Sequence, residues 1–247
     1  MDHHRDGPDV SIQQLLAAYS GASSVTPDDP YFSDVSLLLH CEGADASTTF
    51  TDSSANAASI TVGSGCVIAT AQYKYGSASG YFPGTSGAYL LTPTGTEYGF
   101  TADYTVEGFK RSGSLGSNNC CLFDSRSGGQ GIAIYASVND VAGINRLILA
   151  NNSAGIAGYG TTAFTADTWQ HWAVSRQGST TRGFIDGVEV WSVTDSRTLA
   201  ASTRYSIGAV YDGAQRYNGY LDEVRVTIGR ARYTANFTPP SQAFPDS

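Results

Sequence analysis

The stretch that decides the fold runs from residue 169 to 190 and reads WQHWAVSRQGSTTRGFIDGVEV. Side chains alternate across an extended chain, so His171 and Ala173 share one face, while Trp172 and Val174 share the other. Asp186-Gly187 stands between GFI and VEV. Glycine readily adopts the positive φ that a two-residue turn demands, and this pair is the clearest hairpin signal in the chain. Working outward, the same period of two begins at Val35, where Val35, Leu37 and Leu39 alternate with Ser36, Leu38 and His40. SITVGSGCVIAT reads as two short strands around a Gly-Ser-Gly turn. Further strands are expected in GYFPG, AYLL, DYTVEGFKR, NNCCLFDSR, GIAIYAS, NRLILA, RYSIGAV and NGYLDEVRVTIG. Turn residues separate nearly all of them, and helix is almost absent. The fold class is therefore all-β, an antiparallel two-sheet jelly-roll sandwich. No period of about 20–50 residues recurs, which excludes a solenoid or propeller.

The 247 residues suit one large domain. Only 15% are charged, against about 25% in an average soluble domain. The net charge of −8 argues against nucleic acid, whose phosphates need clustered Lys and Arg. Membrane insertion is not expected, since no run approaches the ~18 apolar residues of a spanning helix. The opening MDHHRDGPDVSIQQLLAAYSG has neither a basic segment nor a continuous apolar one, and does not read as a secretory signal. Residues 1–34 form an arm and linker. Asp9 and Ser11 can cap a short helix over about residues 11–20, with Ile12, Leu15, Leu16 and Tyr19 along one side. Residues 35–247 form the sandwich. The arm either packs on its own sandwich or holds a partner or symmetry mate. Cys41, Cys66, Cys120 and Cys121 have no zinc-like spacing and read as free buried thiols, with a Cys41–Cys66 bridge as the alternative.

Three segments in fixed order carry a resemblance. LLLHCEGADASTTFTDSS precedes SGYFPGTSGAYLLTP; DYTVEGFKR leads to LFDSRSGGQGIAIYAS; WQHWAVSRQGSTTRGFIDGVEV leads to YSIGAVYDGAQRYNGYLDEVRVTIGRARYTANFTPP. Together they resemble the laminin-G-like members of the concanavalin-A-like lectin/glucanase superfamily, over about residues 35–240. The resemblance implies a structural calcium ion tying the first strand-loop region to the last long strand, with Glu42, Asp45, Asp52 and Asp222 as ligands. Oxygen ligands of this kind suit calcium, although no compact DxDxDG loop is present. The alternative pairs Asp222 and Glu223 with Arg225 or Arg230. The wording SLLLH-EG and RYTANFTPP resembles versions found in bacteriophage virion proteins. That implies a structural or decoration module on the virion surface, made in the host cytoplasm, homo-oligomeric, and docked to other virion proteins through residues 1–34.

No enzyme is expected. A glycosidase of this superfamily needs alternate carboxylates on one strand face. The five glutamates, Glu42, Glu97, Glu107, Glu189 and Glu223, show no such pattern, and Glu107 stands alone. Asp222 and Glu223 are neighbours in a strand and are expected to face opposite ways. His171, between two tryptophans, reads as a packed sheet residue rather than a base. SRSGGQG is a hairpin loop, not a phosphate cradle. The alternative function is carbohydrate binding for adhesion to a surface glycan. Tyr98, Tyr159, Tyr211, Asp212, Arg216 and Tyr217, in or beside expected loops, are its candidate contacts; tyrosines that merely cap the core are the plainer reading of the same residues.

Overall fold

In a computed structural model, which describes residues 28–100, 102–115, 119–139, 145–151, 155–199 and 203–247, the chain forms two packed antiparallel sheets. Strands are numbered in chain order. The front sheet runs β13 (Val188–Thr194), β12 (Thr180–Ile185), β11 (Gln170–Gln177), β6 (Tyr104–Arg111), β15 (Asn218–Ile228), β4 (Ser79–Pro83) and β3 (Val67–Ala69). The beginning of β15 pairs with β4, and its end pairs with β1 (Val35–Leu39). The back sheet runs β10 (Gly155–Ala163), β9 (Arg146–Asn151), β8 (Ile132–Ser137), β7 (Cys120–Asp124), β14 (Ser206–Ile207), β5 (Leu90–Leu91) and β2 (Thr61–Val62). The expected helix at residues 11–20 lies outside the described residues.

The expected hairpin is present. Ile185 pairs with Val188, and Asp186 and Gly187 between them have φ of 49° and 76°, the paired positive values that match the twist of the flanking strands. Trp172 and Val174 enter the core between the sheets, beside Val106, Leu221, Val224 and Val226. His171 lies on the other face, against Phe109 and Phe237. The free edges of the two sheets close on each other. Trp191 Nε1 of β13 donates to the Leu147 carbonyl of β9 at 2.8 Å. At Gly160 of β10, any Cβ would lie 2.2 Å from the Val190 carbonyl oxygen. Such mutual cover removes two exposed strand edges.

Two sequence expectations are altered. SITVGSGCVIAT does yield two short strands, but they diverge: β2 joins the back sheet through β5, and β3 joins the front sheet through β4. A register shift between Val35 and Leu37 breaks the first alternation. Leu37 and Leu39 enter the inter-sheet core, whereas Val35 packs with Leu38, Phe109 and Phe244 on the outside. Asp29, in the expected linker, contacts the sandwich. The Asp29 N–H donates to the Ser247 carbonyl at 2.8 Å, and Asp29 is buried.

These last contacts belong to a cover over the outer face of the front sheet. A sandwich usually leaves that face to water. Here the chain after β15, with residues 29–34, lies across it, and Tyr233 stacks on Phe237 at 3.6 Å between ring centroids. Tyr75 and Phe244 both pack on Phe109. Both faces of β1, of most of β6 and β11, and of β15 beyond Tyr220 are therefore largely dry.

Candidate functional site

The densest cluster of charge lies beneath this cover. Glu107, on β6, accepts Arg225 Nε at 3.0 Å and Nη2 at 2.8 Å on Oε1. Its Oε2 accepts the Tyr233 hydroxyl at 2.7 Å and faces His171 Nε2 at 3.1 Å. An ionised carboxylate only accepts, so the His171 proton in this contact sits on Nε2. Arg225 Nη1 and Arg232 Nη2 also donate to Asp29 Oδ2, at 3.1 and 2.7 Å. Burial works to raise the Glu107 pKa, but Arg225 and His171 outweigh it and hold the group well below the usual carboxylate range. Two arginines thus meet two carboxylates, with Glu107 and His171 both at 0% exposure. Glu107 does not stand alone, as its sequence neighbourhood suggests. It is the centre of a closed, neutralised network.

The second acidic group sits at a bulge in β15. Glu223 has φ of 52°, and the pairing with β6 shifts between Asp222 and Arg225. Alternation fails at that step, so Asp222 and Glu223 do not point to opposite faces. Asp222 Oδ2 accepts the Lys74 and Tyr75 N–H groups at 2.7 and 3.2 Å. Glu223 accepts the Phe244 N–H at 2.8 Å and pairs with His40 at 2.8 Å. Both carboxyls therefore reach the cluster around Phe109. Burial, with Glu223 adding repulsion, lifts the Asp222 pKa to about 7 against its two N–H donors. Neither acid pairs with Arg225, which binds Glu107, or with Arg230, which binds Asp34.

The four carboxylates expected to hold calcium do not converge. Glu42 takes the Ser77 N–H and hydroxyl, at 2.9 and 2.6 Å. Asp45 takes the Thr70 N–H at 3.0 Å. Asp52 takes the N–H groups of Leu38, Ser54 and Ala58 at 2.9–3.0 Å. Each closes a different turn by accepting backbone N–H, and no group of three His, Cys, Asp or Glu suited to a metal occurs among the described residues. The residues present do not fit the ion. All four cysteines are free and buried, and burial raises the Cys66 and Cys120 thiols to about 12 and 11, too high for a thiolate nucleophile at neutral pH.

An open groove of about 660 Å³ lies at one end of the sandwich. Its walls come from the end of β6 (Arg111) and the loop beyond, the start of β7, Asn139 after β8, Asp167 before β11, the segment 215–220 entering β15, and Tyr81 of β4. Tyr220 and Tyr81 are directly opposed across the β15–β4 ladder, with ring centroids 5.1 Å apart and planes 43° from parallel. Asn119, Asn139, Asn218, Ser112 and Ser114 supply hydrogen-bonding groups, and Arg111 and Arg216 supply charge. Gly219 brings β15 close to β6 here: it has φ of 149°, and a Cβ would lie 2.5 Å from the Arg111 carbonyl oxygen. The buried Tyr217 hydroxyl donates to the same carbonyl at 3.1 Å. Among the described lining residues Asp167 is the sole carboxylate, and it lies 3.2 Å from Arg111. A smaller recess of about 280 Å³ includes Tyr135, Tyr211, Asp212 and Gln215; Gln215 also lines the groove.

The sequence-derived contacts divide accordingly. Arg216 lines the groove, and Tyr211 and Asp212 line the recess. Tyr98 and Tyr217 are core residues, at 2% and 0% exposure, and cannot touch a ligand. Tyr98 packs on Tyr205, 5.1 Å between centroids. Tyr159 is exposed on β10 and lines neither cavity. Sequence reasoning missed Tyr81 and Tyr220, because each sits inside a strand. Their signal was weak: an aromatic on the face opposite the core, next to glycine. Aromatic surfaces with converging amides and hydroxyls suit a polyhydroxylated ligand.

The sequence profile of a family described as the concanavalin A-like lectin/glucanases superfamily matches residues 83–231. No protein of curated function matches the sequence. Among solved structures, the binding domain of Paraclostridial Mosquitocidal Protein 1 is similar at TM-score 0.60 and 16% identity, over 82% of this chain and 50% of that one. Domain 4 of AbnA, a GH43 extracellular arabinanase from Geobacillus stearothermophilus, in complex with arabinotriose, is similar at TM-score 0.60 and 17% identity, over 80% of this chain and 94% of that one. The binding domain of botulinum neurotoxin DC in complex with SialylT is similar at TM-score 0.56 and 11% identity, over 79% and 48%. The chain spans about half the length of the two toxin binding domains. At these identities the likeness is one of fold.

Proposed function

We propose that this chain, which belongs to the concanavalin A-like lectin/glucanases superfamily, is a non-catalytic carbohydrate-binding module whose ligand lies in the groove beside β4 and β15. The observation that carries the reading is the Tyr81–Tyr220 pair, held in register on a rigid ladder at the rim of a polar groove. A sugar ring can lay its C–H face on such a platform while its hydroxyls meet Asn119, Asn139 and Asn218. Hydrolysis of a glycoside needs two carboxyl groups flanking the bond. The described groove residues offer Asp167 alone, tied to Arg111. The pairing of an arabinanase domain of similar fold with arabinotriose supports a sugar as the ligand class.

The test is a glycan array probed with the full chain, followed by calorimetry on the best ligand. Tyr220→Ala is expected to weaken binding about tenfold, or 1.4 kcal/mol, with little change in thermal stability. No glycan bound at millimolar concentration, or undiminished binding by the variant, would sink the proposal.

The second proposal, display on a phage particle with the N-terminal arm as the dock, is carried by the sequence resemblance of SLLLH-EG and RYTANFTPP. Homo-oligomeric display would add avidity to a weak glycan contact. Deleting residues 1–27 should then abolish incorporation into particles while leaving the sandwich folded; particles that still incorporate the shortened chain would refute the docking role.

A further inference from the structure

We infer that the groove takes an acidic glycan, one bearing carboxylate or sulfate groups; this rests on the carbohydrate reading above and adds the chemical class of the ligand. The reason is a local excess of cations over carboxylates among the described residues. Arg216 lines the groove, its Nε is buried, and no described residue accepts a hydrogen bond from that Nε or forms an ion pair with the side chain. Arg111 does meet Asp167, but that carboxylate is 69% exposed, and such a pair binds weakly in water. Behind them lies Lys110, at 1% exposure. Its Nζ donates to Ser112 Oγ at 2.9 Å and stands 4.3 Å from the centre of the Phe164 ring. Ser112 in turn lines the groove. No carboxylate pairs with Lys110 among the described residues.

Two arginines and one carboxylate therefore line the groove, with Lys110 behind it, in a chain whose net charge is −8. Two other half-buried arginines are matched locally: Arg126 chelates Asp124 through two hydrogen bonds, at 3.0 and 2.8 Å, and Arg197 does the same with Asp195; Arg146, whose Nε is also buried without a partner among the described residues, lines no groove. Burial brings the Lys110 pKa down to about 8, so the ammonium form still predominates at neutral pH. An anionic group entering the groove would supply the missing countercharge, with charge-assisted hydrogen bonds from Arg216. The acidic surface as a whole would repel such a ligand, so any attraction must come from this groove.

The experiment titrates the full chain with galactan, polygalacturonate and a sulfated galactan, at low and physiological salt. The acidic polymers are expected to bind at least about tenfold tighter than galactan, by a margin that narrows with salt. Arg216→Gln should cut acidic binding about tenfold and shrink the ratio of acidic to galactan affinity, whereas Arg216→Lys should keep part of the preference. If Arg216→Gln fails to fold, Arg111→Gln with the same readout carries the test. Galactan bound as tightly as the acidic polymers, or a preference untouched by these variants, overturns the acidic class while leaving the carbohydrate reading intact. Failure of all three polymers and of every glycan on the array overturns both.

Discussion

The covered outer face of the front sheet and the groove at the end of the sandwich are both rich in arginine, yet they are built on opposite terms. Under the cover, Arg225 and Arg232 are matched by Glu107 and Asp29 within hydrogen-bond distance, and both arginines are nearly sealed from water. At the groove, Arg216 and Lys110 have no carboxylate partner among the described residues, and Arg216 borders open space. Charge alone does not mark a ligand site. A buried ion that is already paired and hydrogen-bonded holds a structure together, while an accessible one left unpaired is available for a partner.

The largest effect is expected at the centre of the covered network. Glu107→Gln leaves Arg225 with Asp29 alone, and should cost about 3–5 kcal/mol in urea unfolding, with glycan affinity unchanged in the fraction that remains folded. A loss below about 1 kcal/mol would erase the proposed difference between the two regions. The same network sets a pH signature. The Glu107 pKa is lowered in the folded state, so its contribution is complete above the ordinary value of 4.5 and is lost as pH falls below it.

Asp222 carries the opposite sign. Its folded pKa of about 7 exceeds the ordinary 3.8, so the native state holds a proton that the unfolded chain releases between those values. Stability should fall as pH rises from about 4 to 7 and then level off. Asp222→Asn should flatten that slope and make the protein more stable at pH 8, by on the order of 2–3 kcal/mol. Denaturation at stepped pH checks this, and an unchanged slope would place the titration elsewhere.

The smallest effect is expected at the groove's own carboxylate. Asp167 has φ of 54°, which asparagine tolerates, so Asp167→Asn should fold normally. It frees Arg111 and should tighten binding of an acidic glycan about two- to threefold, near 0.5 kcal/mol. Weaker binding would mean that Asp167 itself holds the ligand.

Legibility followed locality. The Asp186-Gly187 hairpin, the faces of Trp172 and His171 and the two-sheet class were readable because each depends on neighbours a few residues away. The bulges at Val35 and Glu223 were not, since alternation reads as unbroken until a partner strand sets the register. For that reason Asp222 and Glu223 were assigned to opposite faces. Of the expected glycan contacts, Arg216, Tyr211 and Asp212 do line cavities, whereas Tyr98 and Tyr217 sit in strand-flanking segments that the second sheet covers. Of the four acids expected to hold calcium, Glu42, Asp45 and Asp52 lie in loops and Asp222 in β15, and backbone N–H groups claim each one.

By itself the sequence determined the period of two, the turns, the scarcity of charge and hence a sandwich with few ionisable groups to spare. Only the tertiary structure decided which of those groups are neutralised. Glu107 and Arg225 meet across adjacent strands far apart in the chain, Tyr81 meets Tyr220 the same way, and Arg216 meets no acid among the described residues. Local pattern follows from the geometry of one strand, but the pairing of charges depends on register and on what the end of the chain covers. Those are long-range facts, set by packing that no short window of residues contains.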